Sequence, residues 1–328
     1  MDALLRTLGE TPDRPVLLPT TDADAAWIND QQQILGQHFR FNTATQELFG
    51  RLASKVGIIG LLQENKIEAP STWHVDTLEE FDRHLAKLPM PILVKPAETF
   101  RRLLPRGVKN ELFTDPASLE GYVRSFPQNL PDMVFQEVVP SGDGQIHVCT
   151  VLLDRSGEPV LRYTGRKVRQ YKPDYGVTCL GVSEWNEQVA EVATGFLQAI
   201  GFRGLCTIEF ARHRETGRYL LLEANPRSYY HNALCTDCGV NFPLAEYNLL
   251  IGKSPPSARQ RDGIYWIDLP KDLASFYRKR RDQRLGTVAW LRSALRATSF
   301  ASFAFDDPRP WLQQTSRLAR VSTRALLT

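Results

Sequence analysis

In the stretch GLCTIEFARHRETGRYLLLEANPR, residues 204–227, two strand-like runs flank a short loop. The loop contains residues 215–217, and its length and its glycine favour a β-hairpin. If His213 and Tyr219 bracket a five-residue loop, the register of the two strands follows directly. The sequence therefore predicts an antiparallel strand pair whose side chains alternate between two faces.

Two acidic side chains face each other in this register. Glu209 falls opposite Glu223, which shares a face with Asn225. Directly opposed carboxylates repel, and a cation between them is the usual remedy. Carboxylate and amide oxygens are the ligands that Mg²⁺ prefers, and Mg²⁺ commonly accompanies phosphates. The alternative is a solvated hairpin face with two unrelated acids, but the leucines at 220–222 indicate a buried strand, and Arg227 adds a cation.

The composition is that of an ordinary globular protein. The chain has 328 residues, 42% of them hydrophobic and 23% charged, which is enough for two or three domains. No stretch approaches the ~20 apolar residues of a membrane span, and residues 1–15 lack the features of a signal peptide. We therefore expect a cytoplasmic protein. Five cysteines, an odd number, do not indicate a disulfide framework.

The charge is unevenly distributed along the chain. Residues 254–328 contain 14 Arg and Lys against 6 Asp and Glu, a net charge of +8. Because the whole chain carries +3, residues 1–253 carry −5. A basic tail on a mildly acidic body indicates contact with something anionic, and a membrane surface, nucleic acid or an acidic partner are all open at this point.

Composition and breakers divide the chain into three parts. Residues 1–50 form a short α/β piece that is too small for an independent domain, with a strand at 15–19 and a helix at 23–37 capped by Asp22 or Asp24. Residues 51–253 form the main domain, and the prolines at 255–256 mark the start of a basic helical extension at 254–328. The extension has predicted helices at 272–284, at 288–298 and from Trp311.

Hydrophobic periodicity places regular elements in the main domain. Helices are predicted at 52–65, 78–88, 118–126 and 189–200, and strands at 72–75, 91–96, 134–139, 147–153 and 160–164. The helix at 189–200 has the clearest pattern, with Asn186 as its cap and Gly201 at its end.

Five motifs occur in order between residues 51 and 253. They are Lys55 on an early helix, Lys95 at the end of an apolar strand, QEVV at 136–139, Glu209 within IEF, and EANPR at 223–227. In this order the motifs resemble the ATP-grasp superfamily. The stretches GRKVRQ at 165–170, PDYG at 173–176, GVNFP at 239–243 and DDPRP at 306–310 are similar to its D-aspartate ligase-like, predicted ATP-dependent carboligase branch.

The resemblance implies an α+β ATP-grasp fold, in which antiparallel sheets from about 51–135 and 136–253 enclose the nucleotide. ATP would be held by phosphate-binding lysines, by an adenine-binding segment and by an acid on the ribose. These residues are Lys55 and Lys95 for the phosphates, Gln136, Glu137, Val138 and Val139 for adenine, and Asp143 for the ribose. Lysines suit phosphates as point charges. For Lys95, a strand-end lysine that snorkels to solvent is the alternative.

The resemblance also implies a metal site and catalytic cations. Glu209, Glu223 and Asn225 would bind one or two Mg²⁺ ions, with Mn²⁺ as a substitute. Arg227 would stabilise an oxyanion. Lys167 and Arg169, with Arg166, would cradle the γ-phosphate or a substrate carboxylate, an exposed basic strand being the alternative. The family's mobile phosphate-covering loop would fall on Arg101, Arg102, Arg106 and Lys109, but this stretch contains only Gly107 where such loops are often glycine-rich.

Several other chemistries lack their motifs. There is no GxxxxGK[ST], no GxGxxG that opens a helix after a strand, and no GxSxG. Cys235 and Cys238 have the spacing of half a zinc site without a second pair, so we expect neither zinc nor redox chemistry. His213 and His231 have no evident partners for a catalytic triad.

The chemistry implied by the resemblance is ATP-dependent ligation of a small-molecule carboxylate to an amine through an acyl phosphate, with ADP and phosphate as products. A catalytically silent ATP-binding regulator is an alternative, because the N-terminal piece is short. A second alternative is a peripheral module on the inner membrane face, through a weak anionic contact of residues 278–296. The competing expectation is that this segment packs on the body through Trp290 and Trp311. A nucleic-acid partner is not expected, and a homodimer is left open.

Overall fold

The computed structural model describes residues 14–98, 103–171, 176–304 and 306–313, and its strands form two sheets. The smaller sheet contains β1 (Thr72–His74), β2 (Ile92–Pro96), β3 (Glu111–Phe113) and β4 (Met133–Glu137). Its order is β1-β4-β2-β3, and every neighbouring pair is antiparallel.

Two helices cover one face of the smaller sheet. They are α5 (Leu78–Leu85) and α6 (Pro116–Ser125), and Phe81 packs its ring 5.5 Å from that of Phe135 on β4. The side chains of Ile92 and Val94 are fully buried against them, whereas Lys95 is only partly buried. Because side chains alternate along a strand, Lys95 lies on the face opposite this core.

The larger sheet has seven strands in the order β11-β10-β7-β6-β5-β8-β9. They are β5 (Ile146–Leu153), β6 (Pro159–Tyr171), β7 (Val177–Ser183), β8 (Gly204–Arg212), β9 (Tyr219–Asn225), β10 (Tyr265–Ile267) and β11 (Ala297–Phe300). All neighbours are antiparallel except the β10–β11 pair, which is parallel.

Helices bury both faces of the larger sheet. Helix α7 (Glu187–Ala199) covers one face with Phe196 and its neighbours, against Ile208 and Phe210 of β8. As predicted, Asn186 caps this helix by accepting a hydrogen bond from the Val189 amide, and Gly201 follows its end with a φ of +71°. Helices α8 (Asn232–Asp237) and α9 (Phe242–Leu250) cover the opposite face.

The N-terminal part differs from its prediction in two ways. Residues 15–19 form only an isolated bridge between Val16 and Arg40, so the predicted strand is wrong. The predicted helix at 23–37 is two helices, α1 (Asp22–Asp30) and α2 (Gln32–His38), that break at Gln31. Thr21 caps α1, and Asp24 completes a capping box instead of acting as the cap.

The predicted helix at 52–65 is also divided. Helix α3 (Gln46–Ala53) ends before Ser54, which caps α4 (Lys55–Glu64) through the Gly57 amide. Ser54 also bridges to Glu98 just beyond β2, and the Lys55 amide donates to the Ala97 carbonyl at 2.7 Å. The break therefore fixes the start of α4, and with it Lys55, beside the end of the strand that carries Lys95.

The C-terminal extension is not wholly helical, which corrects the sequence-based expectation. It contains α10 (Leu269–Arg281) and α11 (Thr287–Ala294), but β10 and β11 also lie within it. These strands are only three and four residues long, so their alternation is too brief to read from sequence. The helix predicted from Trp311 lies largely outside the described residues.

The structure agrees with the expected absence of disulfides among the five cysteines. All five are buried and free. Burial raises the pKa of the Cys238 thiol to about 11, which keeps it protonated and inert.

Candidate functional site

The predicted pairing of the two hairpin acids is confirmed, but the loop length and the strand register differ from those predicted. Glu209 of β8 pairs with Glu223 of β9, and the register shifts between Glu209 and Phe210, which pairs with Leu221. The loop spans six residues, 213–218, instead of five, because Arg212 pairs with Tyr219. Leu222 is the extra residue of the resulting bulge.

Two lysines provide the cations that the opposed carboxylates require. Lys167 Nζ lies 2.7 Å from Glu209 Oε2, and both side chains are almost fully buried. Lys55 Nζ lies 3.0 Å from Glu223 Oε2. Since β6 and α4 belong to different layers, the acid pair joins the larger sheet to the first part of the main domain. The repulsion between the acids alone therefore does not demand a metal.

The Glu223 carboxylate is held in its ionised form by neighbouring lysines. The Lys55 ammonium, with further help from Lys167 and Lys95, holds the pKa of Glu223 well below its usual range against the opposing effect of burial. The carboxylate is therefore ionised. Because its side chain is 36% exposed, it is also open to a ligand. Asn225 lies on the same face and donates from Nδ2 to Glu223 Oε1 at 3.2 Å.

Lys95 is placed as predicted, at the end of β2, and does not snorkel to solvent. Its Nζ donates to Gln136 Oε1 at 2.6 Å, and Gln136 Nε2 donates to Thr72 Oγ1 at 3.0 Å. Burial, together with the nearby Lys55 ammonium, lowers the pKa of Lys95 to about 8. An ammonium that is this poorly compensated favours an anionic ligand.

The predicted adenine segment forms the end of β4 and the turn after it. The Glu137 carboxylate accepts a hydrogen bond from the Ser71 amide at 3.1 Å, and the Glu137 amide donates to the Ser71 carbonyl at 2.8 Å. The strand ends at Glu137, so Val138 and Val139 lie beyond it, with Val139 buried. Val139 packs against Ile146 and Ala211 of the larger sheet, so the segment runs from the smaller sheet to the larger one.

Sequence reasoning missed Tyr229, whose hydroxyl donates to Glu209 Oε1. Burial and the Glu209 and Glu223 carboxylates raise the pKa of this tyrosine well above its usual value, so it stays a donor. Its only sequence signal is its position two residues after Arg227. Arg227 itself pairs with Asp22 of α1 and lies 3.4 Å from Asn225 Oδ1, which connects the N-terminal piece to the acid pair.

Two predicted site residues are not brought to the acid pair. Arg169 forms a buried ion pair with Asp272, and Asp143 pairs with Lys279, both partners belonging to the extension. The catalytic role of Arg169 and the ribose role of Asp143 stay predictions. The sequence gives Asp272 no role beyond the start of a predicted helix, and it places Lys279 in the segment 278–296 weighed as a membrane contact, whereas the structure buries both side chains.

The remaining basic residues are spread over several places. Arg166 pairs with Glu184 at 2.9 Å, and Arg106 pairs with Glu111 at 2.6 Å. Arg101, Arg102 and most of the PDYG turn lie outside the described residues.

A pocket lies beside Arg227, between the N-terminal piece and the larger sheet. Its walls combine apolar and polar side chains, and it is lined by Pro19, Ala25, Ile28, Asn42, Thr43, Ala44, Phe49, Phe202, Arg203, Leu205, Pro226, Arg227 and Glu246. Glu246 is 5% exposed and accepts a hydrogen bond from Asn42 at 3.2 Å. Burial raises the pKa of Glu246 to about 7.

The side chains of the acid pair fit a hard divalent cation. Glu209, Glu223 and Asn225 offer carboxylate and amide oxygens on neighbouring strands, which is the ligand chemistry of Mg²⁺. Among residues 14–98, 103–171, 176–304 and 306–313, no group of three or more His, Cys, Asp and Glu side chains is placed to hold a metal. A cation here would therefore complete its shell with phosphate oxygens and water.

Comparison with known proteins agrees with this geometry. Residues 182–256, which include the acid pair, match the family model "Carbamoyl-phosphate synthase L chain, ATP binding domain". The biotin carboxylase domain of Hydrogenobacter thermophilus 2-oxoglutarate carboxylase, solved with MgADP, ADP and bicarbonate, superposes with a TM-score of 0.63. It is 13% identical, and the match covers 80% of this chain and 60% of that one. The chain has the ATP-grasp fold.

Two sequence relatives extend the ATP-grasp likeness. D-aspartate ligase of Enterococcus faecium is 22% identical over 287 residues, covering 82% of this chain and 68% of the ligase. The N-terminal section of the carbamoyl phosphate synthase large chain of Methanopyrus kandleri is 26% identical over 186 residues, covering 52% of this chain. This chain spans 30% of that synthase section. The expected resemblance to the ATP-grasp superfamily and to D-aspartate ligase is confirmed.

The segment at 278–296 was weighed as a membrane contact. In the part of the chain that the structure describes, no helix has both the length and the apolar character to cross a bilayer. Trp290 stacks on Phe276 of α10 at 4.7 Å, which is a contact within the extension, and Val288 and Leu295 are each 76% exposed. The comparisons give no support to membrane attachment.

Proposed function

We propose that the protein is an ATP-dependent carboxylate–amine ligase that works through an acyl phosphate. The observation that carries this proposal is the Glu209–Glu223 pair, in which Glu223 is open to a ligand, flanked by Lys55, Lys95 and Lys167. Three ammonium groups around two carboxylates suit a polyphosphate bound together with a divalent cation. The likeness to D-aspartate ligase supports the same class of reaction.

Nucleotide binding would use groups from both sheets. Lys95 would gain a partner for its under-compensated charge when a phosphate approaches, and Lys55 and Lys167 would share the phosphate charge with their carboxylates. Gln136 to Val139 would meet the adenine, and Asp143, held by its pairing with Lys279, would meet the ribose. Glu209, Glu223 and Asn225 would hold Mg²⁺, which supplies charge neutralisation to the phosphates. Mn²⁺ could replace Mg²⁺ on the same oxygens.

The proposed chemistry has two steps. A carboxylate oxygen of the first substrate attacks the γ-phosphorus, and the bond to the bridging oxygen breaks to release ADP. The amine of the second substrate then attacks the acyl carbon and expels phosphate. The chain's own contribution would be to position the reactants and to neutralise charge, and Arg227 would stabilise the oxyanion of the second step.

The pocket beside Arg227 is the proposed place for the substrate that accepts or donates the acyl group. It adjoins Asn225 through Pro226 and Arg227, so it opens next to the proposed phosphate site. Its lining combines apolar side chains with the polar groups of Arg203, Arg227 and Glu246, which is the general character of a small-molecule site.

Release of ADP from ATP in a mixed pool of carboxylates and amines tests this function. We expect turnover that depends on Mg²⁺ and on both substrate classes, with products identified by mass spectrometry. Nucleotide binding without turnover in any pool would favour the silent regulator. Absence of MgATP binding by calorimetry would reject both.

A further inference from the structure

The C-terminal extension is joined to strand β6 by a buried ion pair. Arg169 donates from Nε to Asp272 Oδ1 at 2.7 Å and from Nη2 to Oδ2 at 2.8 Å. The two side chains are 4% and 0% exposed. Arg169 Nη1 also donates to Ser293 Oγ at 2.9 Å, and Trp290 Nε1 donates to Asp272 Oδ2 at 2.8 Å. Arg169 is therefore contacted by side chains from both α10 and α11.

A second ion pair joins the same helix, α10, to the loop after β4. Lys279, whose side chain is 3% exposed, pairs with Asp143. The next residue of this loop, Gly144, donates its amide to the Lys167 carbonyl at 3.0 Å. The loop that carries the proposed ribose acid therefore rests on the backbone of a lysine that contacts Glu209.

Lys167 lies between these two supports. Its carbonyl is held by Gly144, beside Asp143, and two residues further along β6 Arg169 is held by Asp272. In the same region Ser275 Oγ donates to the Gln170 carbonyl at 2.7 Å, and the Arg278 guanidinium lies 5.2 Å from the Tyr171 ring. Helix α10 thus contacts β6 continuously from Arg169 to Tyr171.

We propose that Asp272 and Lys279 are positioning residues of the nucleotide site, through which α10 fixes Lys167 and the Asp143 loop. This inference rests on the proposed ATP-dependent function. Neither residue needs to touch the nucleotide, because Asp272 acts through Arg169 and the buried Lys279 acts through Asp143. The extension is then a working part of the ATP site instead of a separate appendage.

Calorimetric titration of the full chain with MgATP tests the proposal. Lys279→Met and Asp272→Asn should each weaken MgATP binding by about tenfold, since residues that act through others modulate affinity by amounts of this order. Arg281→Met and Asp282→Asn are matched controls, because they remove the same charges from exposed positions at the end of the same helix. Both controls should bind like the wild type.

Two further measurements separate positioning from a merely structural role. Lys279→Arg should restore binding, and Lys279→Met should cause no additional loss in an Asp143→Asn background. Asp272→Asn removes the charge of a buried ion-pair partner, so this variant can fail to fold. In that case the two Lys279 variants decide the question by themselves. Thermal unfolding shows which variants are folded.

The results distinguish a failure of the positioning role from a failure of the proposed function. A wild-type chain that does not bind MgATP would reject the function itself. A wild type that binds MgATP, with folded Lys279→Met binding equally well, would overturn the positioning role. Equal losses in Arg281→Met would overturn it too, because the effect would then be one of overall charge.

Discussion

Glu209 faces Glu223 because the hairpin shifts register by one residue between Glu209 and Phe210. Without this shift the Arg212–Tyr219 register would place Glu209 opposite Leu222, and the two carboxylates would not meet. The bulge therefore assembles the acid pair, and such bulges are commonly found beside active sites. The proposed chemistry depends on these two side chains.

Glu223→Gln should reduce ADP release by about a hundredfold or more while the fold survives, because the amide keeps the shape of the side chain but loses the charge that Lys55 and the metal need. ADP release under saturating MgATP measures the effect. Glu215→Gln, an exposed acid in the loop of the same hairpin, is the control and should leave the rate unchanged. Near wild-type turnover by the Glu223 variant would exclude its role.

Lys95 should take up a proton when ATP binds. Because its pKa in the free protein is about 8, about half of the chains carry a neutral Lys95 at pH 8, and an approaching phosphate raises that pKa. Calorimetry at pH 8 in buffers of different ionisation enthalpy should therefore detect uptake of up to about half a proton.

Replacement of this lysine supplies the matching control. Lys95→Ala should weaken ATP binding by about tenfold or more and abolish the proton uptake, whereas Lys87→Ala, at an exposed position, should change neither. Unchanged ATP affinity in Lys95→Ala would remove Lys95 from the phosphate site.

Buried Glu246 should stabilise the fold more in mild acid, where it is protonated, than at alkaline pH. Its pKa is raised from 4.5 to about 7, so between these values the folded state binds more protons than the unfolded state. The contribution of Glu246 to the free energy of unfolding therefore falls by an amount on the order of 2–3 kcal/mol as pH rises from about 4.5 to 7. Burial lowers the pKa of His147 to about 4 and that of His231 to about 3, so these two groups contribute in the opposite direction.

Urea unfolding at pH 5 and pH 8 measures this dependence. Glu246→Gln should remove only the contribution of Glu246, so its free energy of unfolding should rise more steeply from pH 5 to pH 8 than that of the wild type, whereas Glu191→Gln, exposed on α7, should follow the wild type. A Glu246→Gln variant with the full wild-type pH dependence would show that another group is responsible.

Gly165 of the GRKVRQ stretch should tolerate no side chain. A Cβ there would lie 2.2 Å from the Tyr163 hydroxyl and 2.9 Å from the Val182 carbonyl oxygen. Gly165→Ala should destabilise the fold by about 1–3 kcal/mol, and Tyr163→Phe in the same chain should recover part of the loss. Gly195→Ala on α7, where nothing lies within 4 Å, should instead stabilise by about 0.5–1 kcal/mol. Thermal and urea unfolding report both changes.

Much of the core of the fold could be predicted from local pattern. The helix after Asn186 and the strand that carries Lys95 follow from periodicity and capping, which are properties of neighbouring residues. The facing acids were predicted with a hairpin loop one residue too short, for which the bulge compensates. The metal-ligand set followed from the same geometry, and its metal-binding role stays a prediction.

The features that sequence could not supply depend on distant contacts. Lys167 and Arg169 are separated by one residue, yet one meets Glu209 and the other meets Asp272, more than a hundred positions away. No feature of the neighbouring sequence shows that these two side chains have different partners. The strand Val177–Ser183 and the pairing of Tyr265–Ile267 with it were missed for the same reason, since a short run becomes a strand only when a partner lies beside it.

The placement of β10 has a practical consequence for shortened forms of the protein. Any truncation before Tyr265 would leave the backbone amides and carbonyls of β7 from Leu180 to Val182 without their neighbouring strand. A bared sheet margin of this kind recruits other chains, so such fragments should be found in aggregates even if every nucleotide-binding residue is retained.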